Sequence, residues 1–163
     1  MQHLEVFPEG QMVAVCDGQV VGSASSMRVN LGAWHIPHTW DELTGGLFLT
    51  GHDSSGSLLY GVDISVHPAF RGRGIARKLY QARFTLVESL GLDGFVTICR
   101  LPGFLASGVG DVKVYVDSVV QGDILDRTLT PLLKLGLSCK GVSFDCMDDE
   151  ESGNAGARLE WKP

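Results

Sequence analysis

A chain of 163 residues that is 44% apolar and 20% charged has the composition of an ordinary globular protein, and its length predicts a single domain over residues 1–163. The formal charge of −6 argues against a nucleic-acid partner, because nucleic-acid-binding surfaces are basic. No apolar run is long enough to cross a membrane, and residues 1–10 lack the basic start and apolar centre of a signal peptide. We therefore expect a cytoplasmic protein with no membrane partner.

The cysteines predict neither a disulfide framework nor a metal site. The chain has four, and they form no CxxC pair and no spacing typical of zinc ligands. We interpret Cys16, Cys99, Cys139 and Cys146 as free thiols, and we predict that the protein uses no metal.

The first part of the chain reads as a hairpin followed by an irregular segment. Two apolar runs flank Asp17-Gly18, and this dipeptide is a strong hairpin signal. In chain order we predict strands at residues 12–15 and 20–27, irregular structure at 29–39, a short helix at 40–43, a possible strand at 47–50 and a polar turn at 52–57.

The middle of the chain reads as a strand, a tight turn and a long helix. Over residues 58–66 the side chains of Val62, Ile64 and Val66 alternate with polar ones, as in a strand with one buried face. Residues 74–90 predict a helix that ends at Gly91. The apolar stripe of this helix is expected at Ile75, Leu79, Ala82, Leu86 and Leu90.

The last part of the chain predicts one further crossover strand, two helices and a closing hairpin. Asp111 is placed to cap a helix with Val112, Tyr115, Val116 and Val119 on one face. We predict a strand at residues 95–100, a loop at 101–110, helices at 112–121 and from 130 to about 135, and strands at 137–147 and 155–161. This order predicts an α/β fold, in which one sheet has antiparallel edges.

The turn at residues 71–76, RGRGIA, has the properties of an anion site. The first amides of a helix lack intrahelical acceptors and carry partial positive charge, and glycine allows a ligand to approach the backbone closely. Five of the thirteen Lys and Arg residues fall in this turn and helix: Arg71, Arg73, Arg77, Lys78 and Arg83. The turn therefore predicts a pyrophosphate site, although a solvated basic face on an ordinary helix would show the same charges.

Two other phosphate-binding loops fit this turn poorly. A dinucleotide fingerprint starts directly after its strand, whereas four residues, 67–70, intervene here. A Walker loop requires Gly-Lys-Ser/Thr, and the chain has none.

Residues 66–76 resemble the coenzyme A loop of the GNAT superfamily of acetyltransferases. That pattern is Arg or Gln, two residues, Gly, one residue, and Gly or Ala; Arg71, Gly74 and Ala76 match it, and Val66-His67-Pro68 precedes them at the usual distance. The order of elements is also similar, over nearly the whole chain. Phrases such as FPEGQ, HTWDELTG, LYGVDISVHP, RLPG and GDILDRTL are similar to acetyltransferase domains attached to carbon-nitrogen hydrolases. The resemblance implies the GNAT fold, a mixed and mostly antiparallel sheet with a central splayed strand pair, without the usual first strand and two helices.

The resemblance also implies acetyl-CoA as cosubstrate, an amine as acceptor and a set of binding residues. The splayed strand would hold the pantetheine arm, and the turn would hold the pyrophosphate, while Ile75 and Ala76 also pack the helix against the sheet. The implied CoA-binding residues are Ile64, Ser65, Val66, Arg71, Gly72, Arg73, Gly74, Ile75 and Ala76.

The acceptor amine must lose a proton, so a carboxylate or histidine is expected beside it. Asp63 is the candidate catalytic base, because it lies in the strand that would bind the arm and on the face opposite Val62 and Ile64. A hydrogen-bonded or solvated strand acid is the alternative interpretation. The weaker candidates are Glu42, His35, His38 and His52, and Trp34 and Trp40 either line an acceptor pocket or anchor their segment.

One departure from the family pattern leaves a second function open. Many members carry a tyrosine in the last helix that protonates the leaving thiolate, and Leu132 stands at that position here. Thiolate departure is then unassisted, or Tyr115 assists it. The alternative to an enzyme is a non-catalytic acyl-CoA-binding sensor or accessory subunit. Because the first strand and two helices are missing from the pattern, we also expect an uncovered sheet flank and a homodimer that covers it. The alternative is a monomer in which residues 29–43 or 101–121 fold over the flank.

Overall fold

The computed structural model describes residues 2–163, except for the side chain of Leu47. The chain forms two compact units: the first contains residues up to Ile36, Glu42–Phe95 and Lys162–Pro163, and the second contains Pro37–Asp41 and Val96–Trp161. The strands are β1 (Gln11–Cys16), β2 (Gln19–Val29), β3 (Leu58–Val66), β4 (Gly94–Arg100), β5 (Ser138–Ser143) and β6 (Gly156–Trp161). The helices are α1 (Gln2–Val6), α2 (Leu31–His35), α3 (Trp40–Thr44), α4 (Ile75–Ser89), α5 (Phe104–Ser107), α6 (Val112–Gln121) and α7 (Leu129–Lys134).

The strands form a six-stranded sheet in the order β1-β2-β3-β4-β6-β5. The pairs β1–β2, β2–β3 and β5–β6 are antiparallel. The predicted α/β class with antiparallel edges is confirmed. None of the described helices is long and apolar enough to cross a membrane.

The hairpin predicted from Asp17-Gly18 is present between β1 and β2. Asp17 and Gly18 both have positive φ, 50° and 77°. Such a pair gives the turn whose twist matches that of the flanking strands. Next to the turn Val15 faces Val20, and beyond a bulge at Val21 of β2 Val13 faces Ser23 and Met12 faces Ala24.

Strand β3 has the bounds that the sequence predicts, and its pairing with β2 contains a bulge. Gly22 faces Val66 and Ser25 faces Asp63, whereas Ser26 faces Gly61. The register therefore advances two residues on β3 for one on β2. Val62 is the extra residue, and such a bulge bends a strand and re-aims the side chains beside it.

The buried face of α4 differs from the predicted stripe. Ala82 is exposed and Leu90 is 39% exposed, so their assignment to the stripe was wrong. The aromatic rings decide the orientation: Tyr80 and Phe84 each pack edge-to-face on Phe95, at 5.9 and 5.8 Å between centroids. The residues that α4 buries are Leu79, Tyr80, Arg83, Phe84 and Val87.

The stop of α4 at Gly91 is confirmed. Gly91 has φ 61°, and the amide of Leu92 donates to the carbonyl of Val87 at 3.0 Å. This is the bond of a glycine-terminated helix end.

Three segments of the chain differ in secondary structure from the prediction. Residues 47–50 are not a strand: a 3-10 turn covers Gly46–Phe48, and Leu49 follows in the left-handed region with φ 55°. Residues 29–39 contain α2, which Asn30 caps by accepting from the amide of Ala33 at 2.7 Å. Residues 101–110 contain α5.

In the second unit α6 agrees with its prediction. Asp111 Oδ1 accepts from the amides of Lys113 and Val114 at 2.7 and 3.2 Å. The buried residues are the four predicted ones, Val112, Tyr115, Val116 and Val119.

The remaining elements of the second unit have different bounds from those predicted. Helix α7 begins at Leu129, not at Thr130-Pro131, because the carboxylate of Asp126 accepts from the amides of Thr128 and Leu129, both at 2.8 Å. Strands β5 and β6 are shorter than the predicted 137–147 and 155–161. A 3-10 turn at Glu150–Ser152 lies between them.

Candidate functional site

The turn between β3 and α4 folds back onto the end of its own strand. The amide of His67 donates to the carbonyl of Val21 at 2.9 Å, and Nδ1 of His67 accepts from the amide of Ala69 at 3.2 Å. Arg71 Nε donates to the carbonyl of Val66 at 3.2 Å. These bonds fix where the turn leaves β3 and where α4 begins.

The start of α4 is open towards solvent. Gly72 and Gly74 have φ of 74° and 77°, a conformation that glycine adopts without strain, and no atom lies within 4 Å of where a Cβ would stand on either. The first helical hydrogen bond runs from the amide of Lys78 to the carbonyl of Gly74, at 3.1 Å. The amides of residues 75–77 precede that bond, so they are available to an anion.

Two exposed arginines frame this helix start. Arg73 stacks on the ring of Phe70, with 4.9 Å between its guanidinium carbon and the ring centroid. Phe70 in turn packs edge-on against His67, at 5.7 Å. Stacking holds Arg73 while leaving its donors exposed, so the turn combines free amides, two full positive charges and space for a ligand.

Gly22 of β2 allows α4 to lie close to the sheet at this point. A Cβ on Gly22 would stand 3.1 Å from Ile75 Cγ2, 3.5 Å from Leu79 Cδ1 and 3.0 Å from the carbonyl oxygen of Ser65. The expected packing role of Ile75 is therefore confirmed. The same expectation for Ala76 was wrong, because Ala76 is exposed. A lone glycine inside a strand signals such a close approach, and sequence reasoning overlooked it.

The side chains of β3 alternate as predicted. Ile64 and Val66 are half-buried, whereas Asp63 and Ser65 are exposed. Ser25 lies directly across from Asp63 on β2, and Gln11 lies across from Ser25 on β1. Ser25 Oγ donates to Gln11 Oε1 at 2.7 Å and lies 3.2 Å from His3 Nδ1. Asp63 therefore ends a polar row that crosses three strands.

Arg83 does not belong to the exposed basic face that its sequence position suggests. It is 1% exposed, and its guanidinium carbon packs against the rings of both Tyr80 and Phe95, at 5.1 and 5.5 Å from their centroids. Burial lowers the pKa of its guanidinium, and Tyr80 and Asp63 act in the opposite direction. No sequence signal distinguished Arg83 from its exposed neighbours Arg77 and Lys78.

Most of the weaker candidate bases and aromatic residues have structural contacts. His52 Nδ1 accepts from the amide of Arg28 at 3.1 Å, and its ring stacks on Phe7 at 5.0 Å. Burial, and then the charge of Arg28, lower the pKa of His52. Trp34 is fully buried and packs against Tyr60, so it anchors its segment.

The other weaker candidates precede the β3–α4 turn in sequence. Glu42 and His35 are exposed. His38 and Trp40 are half-buried and belong to the second unit, where the amide of Trp40 donates to the carbonyl of Cys146 at 2.8 Å.

The two positions considered for thiolate protonation are buried in the second unit. Leu132 is 5% exposed, and Tyr115 is fully buried with its hydroxyl donating to Asp126 Oδ2 at 2.7 Å. Burial and this hydrogen bond raise the pKa of Tyr115.

The cysteines and the possible metal ligands of the described residues form neither a disulfide nor a metal-binding group. All four cysteines are free thiols. Within residues 2–163 no group of three or more His, Cys, Asp or Glu side chains could hold a metal ion.

Comparison with known proteins identifies the family. The sequence model of the acetyltransferase (GNAT) family matches residues 2–102, more than half of the chain. The chain belongs to the GNAT family of acetyltransferases. "Uncharacterized N-acetyltransferase YkwB" of Bacillus subtilis is 33% identical over 162 residues, which are 98% of this chain and 71% of YkwB. The predicted membership of the GNAT-type N-acetyltransferases is therefore confirmed.

A second relative has a hydrolase name. "Probable hydrolase YhcX" of Bacillus subtilis is 31% identical over 163 residues, 99% of this chain. The chain spans about a third of the length of YhcX, 32%. A hydrolase name on the longer protein agrees with the predicted similarity to GNAT domains that are attached to hydrolases.

Solved GNAT-like structures confirm the fold class. The GphF GNAT-like decarboxylase in complex with isobutyryl-CoA superimposes with a TM-score of 0.77 at 23% identity, over 99% of this chain and 82% of that one. The loading GNATL domain of CurA from Lyngbya majuscula gives a TM-score of 0.79 at 14% identity, over 96% and 77% of the two chains. At these identities the likeness concerns the fold alone.

Proposed function

We propose that this GNAT domain transfers the acetyl group of acetyl-CoA to an amine of a small molecule or peptide. The observation that carries the proposal is the open, basic turn at the start of α4. Its amides precede the first helical hydrogen bond, and Gly72 and Gly74 leave the space above them empty. Amides and arginines so arranged favour a pyrophosphate, the group that a CoA ligand would bring there.

In the proposed complex the turn and β3 bind different parts of CoA. Residues 71–76 bind the pyrophosphate through backbone amides and the charges of Arg71 and Arg73. Residues 64–66 bind the pantetheine arm through main-chain groups, as an added strand would pair. The half-buried Ile64 and Val66 alternate with the exposed Ser65 in this stretch, as such pairing requires.

The proposed chemistry is direct transfer. The amine nitrogen attacks the thioester carbonyl, the C–N bond forms, the C–S bond breaks, and CoA leaves as a thiolate that takes up a proton. The nitrogen loses its proton to Asp63, directly or through a water molecule. Asp63 is exposed and ends the polar row with Ser25 and Gln11, so its carboxylate is accessible to an acceptor. Positioning of the two reactants supplies much of the rate.

The alternative, a GNAT domain that binds acyl-CoA without turning it over, is favoured by one observation. Leucine occupies the position of the family's acid, and the nearby candidate Tyr115 is fully buried with its proton held by Asp126. A sensor or accessory subunit would need no group to protonate a thiolate.

The experiment that separates the two functions measures free CoA thiol. The purified chain is offered acetyl-CoA, and isobutyryl-CoA because GphF binds it, with a panel of amines and peptides. An enzyme releases CoA thiol in an amount that matches the amount of one acceptor consumed. A binding domain shows CoA-dependent thermal stabilisation and releases none. In an active protein, Asp63→Asn should keep acetyl-CoA affinity and lose about 100-fold or more in turnover.

The binding site itself is tested with Gly74→Glu. The substitution puts a carboxylate and a side chain where the pyrophosphate would lie, so calorimetry should detect no acetyl-CoA binding. Gly108→Glu is the matched control, because Gly108 also has a positive φ of 73° and open space around its Cβ position. A Gly74→Glu variant that binds acetyl-CoA as tightly as the Gly108→Glu variant would contradict the assignment of this turn.

A further inference from the structure

Arg83 joins α4 to the bulge in β3. Its Nε donates to Ser26 Oγ at 3.0 Å, and its Nη2 donates to the carbonyl of Ser25 at 2.8 Å and to the carbonyl of Asp63. Ser25 and Asp63 are the facing pair at which the register shifts. One guanidinium thus bridges two strands at the residue where β3 resumes regular pairing.

A buried guanidinium without a carboxylate among these three acceptors is costly to desolvate. Its 1% exposure leaves backbone carbonyls, the hydroxyls of Ser26 and Tyr80 and two aromatic rings to replace water. A methionine or leucine at this place would fill the same space without that cost. The position of the charge therefore suggests a role beyond filling the core between α4 and the sheet.

We propose that Arg83 is a positioning residue that fixes the register of β3 beyond the bulge and so presents residues 63–66 to the acyl-pantetheine arm. A shift of one residue in a strand moves every side chain to the opposite face. Without the clamp at Ser25 and Asp63, β3 can pair without its extra residue, which would turn Asp63 and Ser65 inward. This role rests on the proposed function, since it concerns the strand that would bind the arm.

The test separates the two halves of the ligand. Acetyl-CoA contains both the nucleotide and the arm, whereas 3′-phospho-ADP contains only the nucleotide that the turn at residues 71–76 would bind. Arg83→Met keeps the volume and removes the charged donors. We expect it to weaken acetyl-CoA binding by about tenfold or more, while the affinity for 3′-phospho-ADP changes by less than about twofold. Titration calorimetry with each ligand gives the ratio of the two affinities, and a general loss of stability would not change this ratio.

Two further variants complete the design. Lys140→Met is the control for the loss of one positive charge, because Lys140 is exposed on β5, and it should leave both affinities unchanged. Arg83→Lys keeps the charge but presents a single ammonium to three acceptors. We expect an intermediate loss for acetyl-CoA alone, and this variant carries the test if Arg83→Met does not fold.

The outcomes distinguish this inference from the proposed function. A wild-type chain that binds neither ligand overturns both. If the wild-type chain binds both ligands, and the Arg83 variants lose neither affinity or lose both equally, only the positioning role is overturned. Hydrogen exchange gives an independent readout, since the amides of residues 63–66 should exchange faster in Arg83→Met than in wild type, whereas those of β1 should exchange at the wild-type rate.

Discussion

Asp126 is a buried carboxylate whose two oxygens accept four hydrogen bonds. Oδ2 accepts from the hydroxyl of Tyr115 at 2.7 Å and from the amide of Gly103 at 3.0 Å, and Oδ1 accepts from the amides of Thr128 and Leu129. The carboxylate is 2% exposed. A buried charge is tolerated when every lone pair is engaged in this way, so the Tyr115 hydroxyl is part of a structural network.

The same network argues against Tyr115 as the acid of the reaction. Burial and the bond to Asp126 raise its pKa above the usual value near 10. Thiolates are less basic than such a phenolate, since a cysteine thiol has a pKa of about 8.5, so proton transfer from Tyr115 to the leaving thiolate would be uphill. If the thiolate leaves without an acid, this unfavourable proton transfer is not needed.

We therefore expect Tyr115→Phe to affect stability and to spare catalysis. Removal of the hydroxyl leaves one lone pair of the buried Asp126 without its donor, which should lower the free energy of unfolding by about 1–3 kcal/mol. At a temperature where the variant is folded, kcat should stay within about twofold of wild type. Urea unfolding and steady-state thiol release measure the two quantities. A loss of several orders of magnitude in kcat with unchanged acetyl-CoA affinity would instead make Tyr115 the acid.

At single residues the sequence predicted the local structure of the candidate site but not the residues that hold this structure in place. The turn at residues 71–76 and the exposed Asp63 are placed as expected, because local glycine, charge and alternation patterns carry that information. Arg83 and Ser25 could not be predicted in this way. Their roles depend on a bulge and on contacts between residues 57 and 58 positions apart, which no local pattern records.

Among the elements, α4 is positioned by the close approach of its first turn to β2. Ile75 and Leu79 lie over Gly22, and the carbonyl of Ser65 lies beside the same point. The start of the helix, whose amides form the proposed pyrophosphate site, is therefore set by the absence of a side chain on a neighbouring strand.

Gly22→Val should accordingly weaken acetyl-CoA binding without touching the turn. The added methyl groups would clash with Ile75 and Ser65, so α4 must move away from β2, at a cost of about 1–3 kcal/mol in stability. Thermal unfolding and calorimetry measure the two effects. Gly110→Val is the control, because Gly110 is exposed with open space at its Cβ position. Equal affinities in the two variants would show that the approach at Gly22 does not set the site.

The elements with strong end signals were predicted well. The Asp17-Gly18 turn, the Asp111 cap and the Gly91 stop each gave the element that the structure contains. The segments whose predicted secondary structure was wrong had none of these signals, or had signals that favour another structure. Residues 47–50 are apolar enough for a strand, but Gly45, Gly46 and Leu49 adopt positive φ, which strand pairing does not allow.

At the scale of the whole molecule, β1 is an edge strand with an apolar surface. It stands at one end of the strand order and has one neighbour, β2. Val13, Val15 and Val20 of the hairpin are 61%, 59% and 59% exposed. An edge strand of this kind, with unpaired main-chain groups beside exposed valines, favours association with another strand.

We expect a second copy of the chain to cover this hairpin in a two-fold dimer, because that is the commonest closed arrangement of identical chains. Light scattering coupled to size exclusion at micromolar concentration should then give twice the chain mass of 17.5 kDa. Val13→Lys combined with Val15→Lys places two charges on the edge and should give the monomer mass. Leu125→Lys is the control, since Leu125 is 76% exposed but far from β1 in sequence and outside its unit. A wild-type mass near 17.5 kDa, with activity per chain retained on dilution, would show that the exposed hairpin stays uncovered and that one chain suffices for function.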